Sequence, residues 1–274
     1  VPPETPQPAI PKKTLIYAGI IVALMWAFAL YTGSLVLQII VAVLTAIIAG
    51  LLLFAWRLVR KQKKLVGVLQ GAQESPEARR EALAKLEAQK DAGSPQNLFA
   101  RAQLVAQDDP EAGLALLEKV ALKEYPAAMQ DDVATLQTRL YLDCGRTKEA
   151  RKTAETINLD NPQRKNVRTM SGVIVAEAFS RTGKPKEALA LLESLEPVEE
   201  NADQIEVQKR IVRVFAKFAM NQRPAARNEL IALAALDLNY LGRFLLPRFR
   251  VHPELQKLAR QIGMERQTKV IGRA

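Results

Sequence analysis

The sequence predicts an all-α chain, a two-helix transmembrane hairpin followed by an α-solenoid. Three observations carry this expectation. No charged side chain occurs from Thr14 to Trp56. The body of the chain repeats itself at a spacing of 38 residues. No strand-like alternation of apolar and polar residues runs for any length.

The elements follow in order. Residues 1–13 open on VPPETPQPAIP. Proline has no amide proton to give a helix, so this segment reads as a disordered lead. Residues 14–56 are too long for one membrane span, which needs about 20 apolar residues. Thr32-Gly33-Ser34 breaks the run, so helices are expected over 15–31 and 35–56. Helices bond their own backbone, as lipid demands.

Lys12 and Lys13 precede the hairpin, and Arg57, Arg60, Lys61, Lys63 and Lys64 follow it. The connecting turn is uncharged. The positive-inside rule then places both termini and the solenoid in the cytoplasm. The expected location is integral to a membrane, the inner membrane of a bacterium. Small residues recur at every fourth position, as Gly19, Ala23 and Ala27, then Ala42, Ala46 and Gly50. Such ridges let helices approach closely, so these six are the expected packing face, able also to support a homo-oligomer. Lys12-Lys13, the apolar run and Ala27-Phe28-Ala29 also imitate a signal peptide. Cleavage there would leave a second span starting within a few residues.

Residues 57–95 read as a basic juxtamembrane helix and linker. Within them, 76–90 is a helix with Leu83 and Leu86 on one side, closed by Gly93-Ser94-Pro95. Residues 96–242 hold the repeats. Glu111-Ala112, Glu149-Ala150 and Glu187-Ala188 are 38 apart, and Ala225-Ala226 takes the next step. Five residues before each second Ala stand Gln107, Gly145, Gly183 and Asn221. Gly and Asn readily turn left-handed at a helix end. The second helix of each pair opens near Pro110, Lys148, Pro185 or Pro224, and Pro suits a first helical turn. About four helix pairs result, the first over 96–122, the second over 126–161 and the fourth over 203–237. Residues 243–274 read as a C-terminal capping helix and basic tail. Phe244, Leu245, Leu246, Phe249, Leu255, Leu258 and Ile262 are its apolar side, and ERQTKVIGRA is a loose end.

These pairs resemble the tetratricopeptide repeat (TPR) family. The third carries the resemblance on Val175, Ala176, Phe179, Gly183, Glu187, Ala188 and Leu192. The second carries it on Tyr141, Gly145, Glu149, Ala150 and Pro162, and the first on Phe99, Ala100, Glu111 and Ala112. The fourth keeps Asn221, Ala226 and Leu230. The period of 38 departs from the family's usual value of about 34. Gln137 and Thr138 stand where the family places a large apolar residue and a small one. An unrelated helical solenoid is the other architecture compatible with helix pairs of this length. The resemblance implies a protein partner held in the groove lined by the first helices, here Arg139, Asp143, Glu177, Arg181, Lys209 and Arg213.

Charge and chemistry narrow the function. The net charge of +10 divides into +6 over residues 1–64, −2 over 65–242 and +6 over 243–274. The folded body is therefore not basic, which disfavours nucleic acid and favours membrane lipids at the basic ends. One Cys and one His exclude a disulfide framework and a Cys/His metal cluster. Cys144 ends a repeat helix, where the helix dipole does not activate a thiol. His252 precedes Pro253 at a helix start with no second ligand nearby. No phosphate-binding glycine loop occurs. No catalytic, cofactor-binding or metal residue is expected. The expected function is a non-enzymatic membrane-anchored TPR-like scaffold or adaptor binding a protein partner. The alternative is a structural subunit of a larger secretion, transport or envelope assembly.

Overall fold

The computed structural model describes residues 12–33, 35, 38–50, 53, 75–198 and 201–271. It divides into two compact units, residues 1–82 and 83–274. Every regular element among the described residues is helical. Residues 1–11 of the expected lead, the basic cluster Arg57, Arg60, Lys61, Lys63 and Lys64, and residues 57–74 of the expected juxtamembrane helix and linker lie outside the described residues.

The first unit contains α1 (Lys12–Tyr31) and a helical run over 38–50, labelled α2. The break falls where the sequence puts it. Thr32 closes α1 by donating its hydroxyl to the Phe28 and Ala29 carbonyls at 3.1 and 3.2 Å. Gly33 follows at φ 63°. The two helices meet through Trp26, whose indole Nε1 donates to Thr45 Oγ1 at 3.2 Å. Ala29 and Val41 are buried beside them.

Two expectations fail here. The small-residue ridge does not form the contact between α1 and α2: Ala23, Ala27, Ala42, Ala46 and Gly50 are exposed. Gly19 lies outside the residues whose packing is described. An indole N–H away from water needs an acceptor. The Trp26–Thr45 bond joins the two helices, and the small residues lie on their exposed sides. The second failure concerns location. Among the described residues, no helix is long and apolar enough to cross a membrane. α1 runs 20 residues but opens on Lys12 and Lys13. This overturns the expectation of an integral membrane protein with both termini and the solenoid in the cytoplasm.

The second unit begins with the end of α3 (Pro76–Glu87) and continues as helix pairs. These are α4 (Pro95–Val105) with α5 (Pro110–Leu117), α6 (Ala127–Asp143) with α7 (Thr147–Ala154), α8 (Arg168–Ser180) with α9 (Pro185–Ser194), and α10 (Ala202–Ala219) with α11 (Arg223–Leu236). Each pair packs on the next through the first helix of its successor, so the core is one ribbon of linked clusters. Leu114, Leu117, Val133 and Leu140 join the first two pairs. Leu142, Ala150, Ala154, Val175 and Ala178 join the second and third. Ala176, Ala188, Leu192 and Val212 join the third and fourth. The two unusual residues of α6 are satisfied within this ribbon. Thr138 is fully buried and donates to the Ala134 carbonyl at 2.8 Å. Gln137 donates to the Leu117 carbonyl at the end of α5, at 3.5 Å.

The turns within the pairs follow the 38-residue step at three positions. Gly145, Gly183 and Asn221 adopt φ of 70°, 85° and 60°. Gln107 does not join them. In that pair Asp109 caps α5 instead, accepting from the Glu111 and Ala112 amides at 3.0 Å each.

The array ends in a cap. After α11 the chain makes two short turns, with α12 (Gly242–Leu245) between them, and then α13 (Pro253–Ile271). Phe244, Phe249, Leu255, Ala259 and Ile262 cover the outer face of Leu230, Leu233 and Ala234. The cap continues further than expected. Residues 265–271 are helical, not loose, and Glu265 pairs with Arg227 at 2.9 Å.

Two of the turn glycines make a controlled comparison. A Cβ on Gly145 would lie 2.8 Å from the Arg248 carbonyl, whereas one on Gly183 would meet nothing within 4 Å. Both substitutions force a side chain into the left-handed region, which costs about 1–2 kcal/mol. Gly183→Ala should therefore lower the unfolding free energy by about that amount. Gly145→Ala should cost clearly more, because it also pushes the cap off α6. Urea unfolding of the two variants tests this difference.

Candidate functional site

The first helices of the pairs, α6, α8 and α10, line one side of a cavity of about 290 Å³. The chain from Asn239 to Phe249 closes the other side. The cap thus lies across the face that the repeats present as a groove.

Ion pairs hold it there. The Arg243 guanidinium donates Nη1 to Asp143 Oδ1 on α6, and Nη2 to Glu177 Oε1 on α8 at 2.7 Å. Glu177 also takes Arg181 Nη1 at 3.3 Å. Arg181 in turn donates to the Leu142 carbonyl at 3.2 Å and, through Nη2, to the Phe249 carbonyl of the cap. Phe215 of α10 completes the arrangement. Its ring lies 4.9 Å from the Arg181 guanidinium carbon and 5.1 Å from the Phe244 ring. A cation over a partly desolvated ring is worth about 1–2 kcal/mol.

The electrostatics follow from burial. The Glu177 side chain is 6 % exposed. Burial alone would raise its carboxyl, but Arg243 and Arg181 outweigh burial and hold it below the ordinary carboxylate range. Burial also works against the charge on Arg243, and Glu177 and Asp143 reverse that effect and raise it. Arg181 is lowered, because burial exceeds the help it receives from Glu177. A guanidinium so placed still carries its charge at neutral pH.

The six sequence-predicted groove residues separate. Arg139, Asp143 and Glu177 line the cavity. Arg181 does not; it is buried behind Glu177 and ties the cap down. Lys209 and Arg213 do not line it either, and Arg213 pairs with Glu206 at 2.8 Å. On α10 the lining residues are Gln204, Gln208 and Ile211. A step of 38 from Glu177 arrives at Phe215, so the period itself carried the signal for that residue. Arg243 and Arg248 lie outside the repeat, and no spacing pointed to them.

The surroundings of the two residues weighed for chemistry are these. Cys144 packs among Ala102, Leu114 and Leu140. Burial raises its thiol pKa, and Glu111 and Asp143 add to the effect. His252 sits 5.5 Å from the Phe218 ring and accepts the Glu254 amide at Nδ1, at 3.3 Å, at the start of α13. Among the described residues, no group of three or more His, Cys, Asp or Glu side chains is placed to hold a metal ion.

Two outcomes follow. A carboxyl that ionises more readily folded than unfolded adds stability above its unfolded pKa. That stability is lost as pH falls through the folded value. The unfolding free energy should therefore drop on acidification below about pH 4. Glu177→Gln should flatten that limb and cost about 3–5 kcal/mol at neutral pH, since it strands buried arginines. Urea titrations across pH measure both. Separately, iodoacetamide should modify Cys144 several-fold more slowly in the folded chain than in urea at neutral pH, because a raised pKa leaves less thiolate. Equal rates would contradict its placement.

No curated protein and no solved structure matches the chain. Residues 104–172, from the end of α4 into α8, match the tetratricopeptide repeat family. The groove that the cap crosses is therefore formed in part by helices similar to tetratricopeptide repeats, and such repeats serve as protein-interaction scaffolds.

Proposed function

We propose that this chain is a non-catalytic scaffold that holds a segment of a partner protein in the cavity between α6, α8, α10 and the cap. The observation that carries the reading is the composition of that cavity. Met170, Ile174 and Leu246 offer apolar contact, while Gln204 and Gln208 offer amides. Few precisely placed polar groups around apolar ones is the usual make-up of a recognition pocket. The ion pairs fix the cavity walls before any partner arrives, which lowers the ordering cost of binding.

The second reading is a subunit of a larger assembly, with the array as assembly module. It is favoured by the hairpin, where Leu24, Phe28, Ile39 and Ile47 are each more than half exposed. Exposed apolar side chains in this number favour an interaction face.

A photo-crosslinking residue in place of Gln208 tests the first reading, with the same probe at Lys152 on α7 as control. Position 208 should capture a defined protein in the source cells that position 152 does not. Adding Ile174→Trp, which fills the cavity, should abolish that capture while leaving the helical spectrum unchanged. Identical products at both positions, or capture indifferent to the Trp, would remove the cavity from the account.

A further inference from the structure

We infer that the partner segment is acidic with an apolar residue beside its carboxylates, read by Arg139 of α6 and Arg248 of the cap; this rests on the cavity being the partner site. The argument is about which charges remain available. Three arginines and two carboxylates line the cavity. Both carboxylates are already engaged. Asp143 and Glu177 turn to Arg243, and Glu177 to Arg181 as well. A basic partner residue would have to displace Arg243, whose side chain is only 15 % exposed. That would leave a buried cation without a counter-charge, a costly exchange.

The arginines that remain are differently placed. The Arg139 side chain is 65 % exposed, and its ion-pair partner among the described residues is Asp143 at 4.0 Å, through the oxygen that Arg243 does not use. Arg248 is exposed, and its guanidinium carbon lies 4.8 Å from the Phe249 ring. No carboxylate pairs with it among the described residues. Guanidinium groups match carboxylates in a planar fork; Arg248 can do so without losing a carboxylate partner, and Arg139 at the cost of one pair at 4.0 Å. Met170, Ile174 and Leu246 supply apolar lining in the same cavity. The site is composite. Arg139 comes from a repeat and Arg248 from the cap, so the repeats by themselves hold only half of it.

The test uses the full chain and three short fluorescent peptides of one length. One is built of Glu and Leu, one has Gln for every Glu, and one has Lys for every Glu. Anisotropy should show the Glu peptide binding about ten-fold more tightly than the Gln peptide, and the Lys peptide not binding. Arg139→Glu and Arg248→Glu should each remove most of that preference. Lys152→Glu, an equal change of net charge on α7, should leave it intact. Thermal melts check that each variant is folded. A preference for the Lys peptide, no preference at all, or an equal loss in the Lys152 variant would each overturn the inference. Should position 208 still capture its protein and Ile174→Trp still abolish capture while no acidic preference exists, the scaffold reading stands and only the charge assignment falls. No peptide binding together with no capture removes both.

Discussion

The arrangement depends on one buried cation. Arg243 stands 100 residues from Asp143 and 66 from Glu177, yet its guanidinium joins them in one network. A buried charge is tolerated only when paired and hydrogen-bonded. Its presence therefore dictates where the cap must lie, with α12 against α6 and α8 and Phe244 against Phe215. Burial of Phe244 and Phe249 supplies the apolar drive, about 1.5–3 kcal/mol for each side chain of that size. The ion pairs supply position more than strength, since a buried pair gains little over an apolar substitute.

What could be read from the sequence was local and periodic. The step of 38 located the turns at Gly145, Gly183 and Asn221, because a left-handed backbone leaves a residue-type signature. It misread Gln107, because Asp109 offers a side-chain cap that performs the same service without a left-handed residue. Lys209 and Arg213 were placed in the groove out of register with the step, which from Glu177 arrives at Phe215. The hairpin turn was legible from Thr32-Gly33, but its faces were not. Gly and Ala at every fourth position are consistent with packing from either side, and the contact seen within the hairpin instead includes the indole of Trp26 and the hydroxyl of Thr45. The membrane expectation came from the uncharged run of 14–56 and its basic flanks, and among the described residues no helix is long and apolar enough to cross a membrane.

Arg243 and Arg248 were illegible for a different reason. Both belong to the cap, which has no repeat partner to align with, and their sequence neighbourhood reads only as apolar with scattered basic residues. Their meaning comes from contacts across two repeats. Charge at equivalent positions is also not repeated. Arg139, Glu177 and Phe215 share one place in successive first helices, as do Asp143, Arg181 and Ala219. The repeat preserves the backbone geometry while the side chains specialise, so period alone predicts a groove and not its chemistry.

Solenoids are ordinarily held by contacts between neighbours, and their stability approaches a sum of repeat and interface terms. This array departs from that rule at one end. The cap packs on α10 and α11, as a terminal cap should, but it also reaches α8 through Glu177 and α6 through Asp143 and Gly145. Loosening the cap therefore opens the groove and frees two repeats together, and the second pair cannot relax without disturbing the chain's far end. The groove's shape is thus a property of the closed unit as a whole, set by an arginine that belongs to none of the repeats lining it.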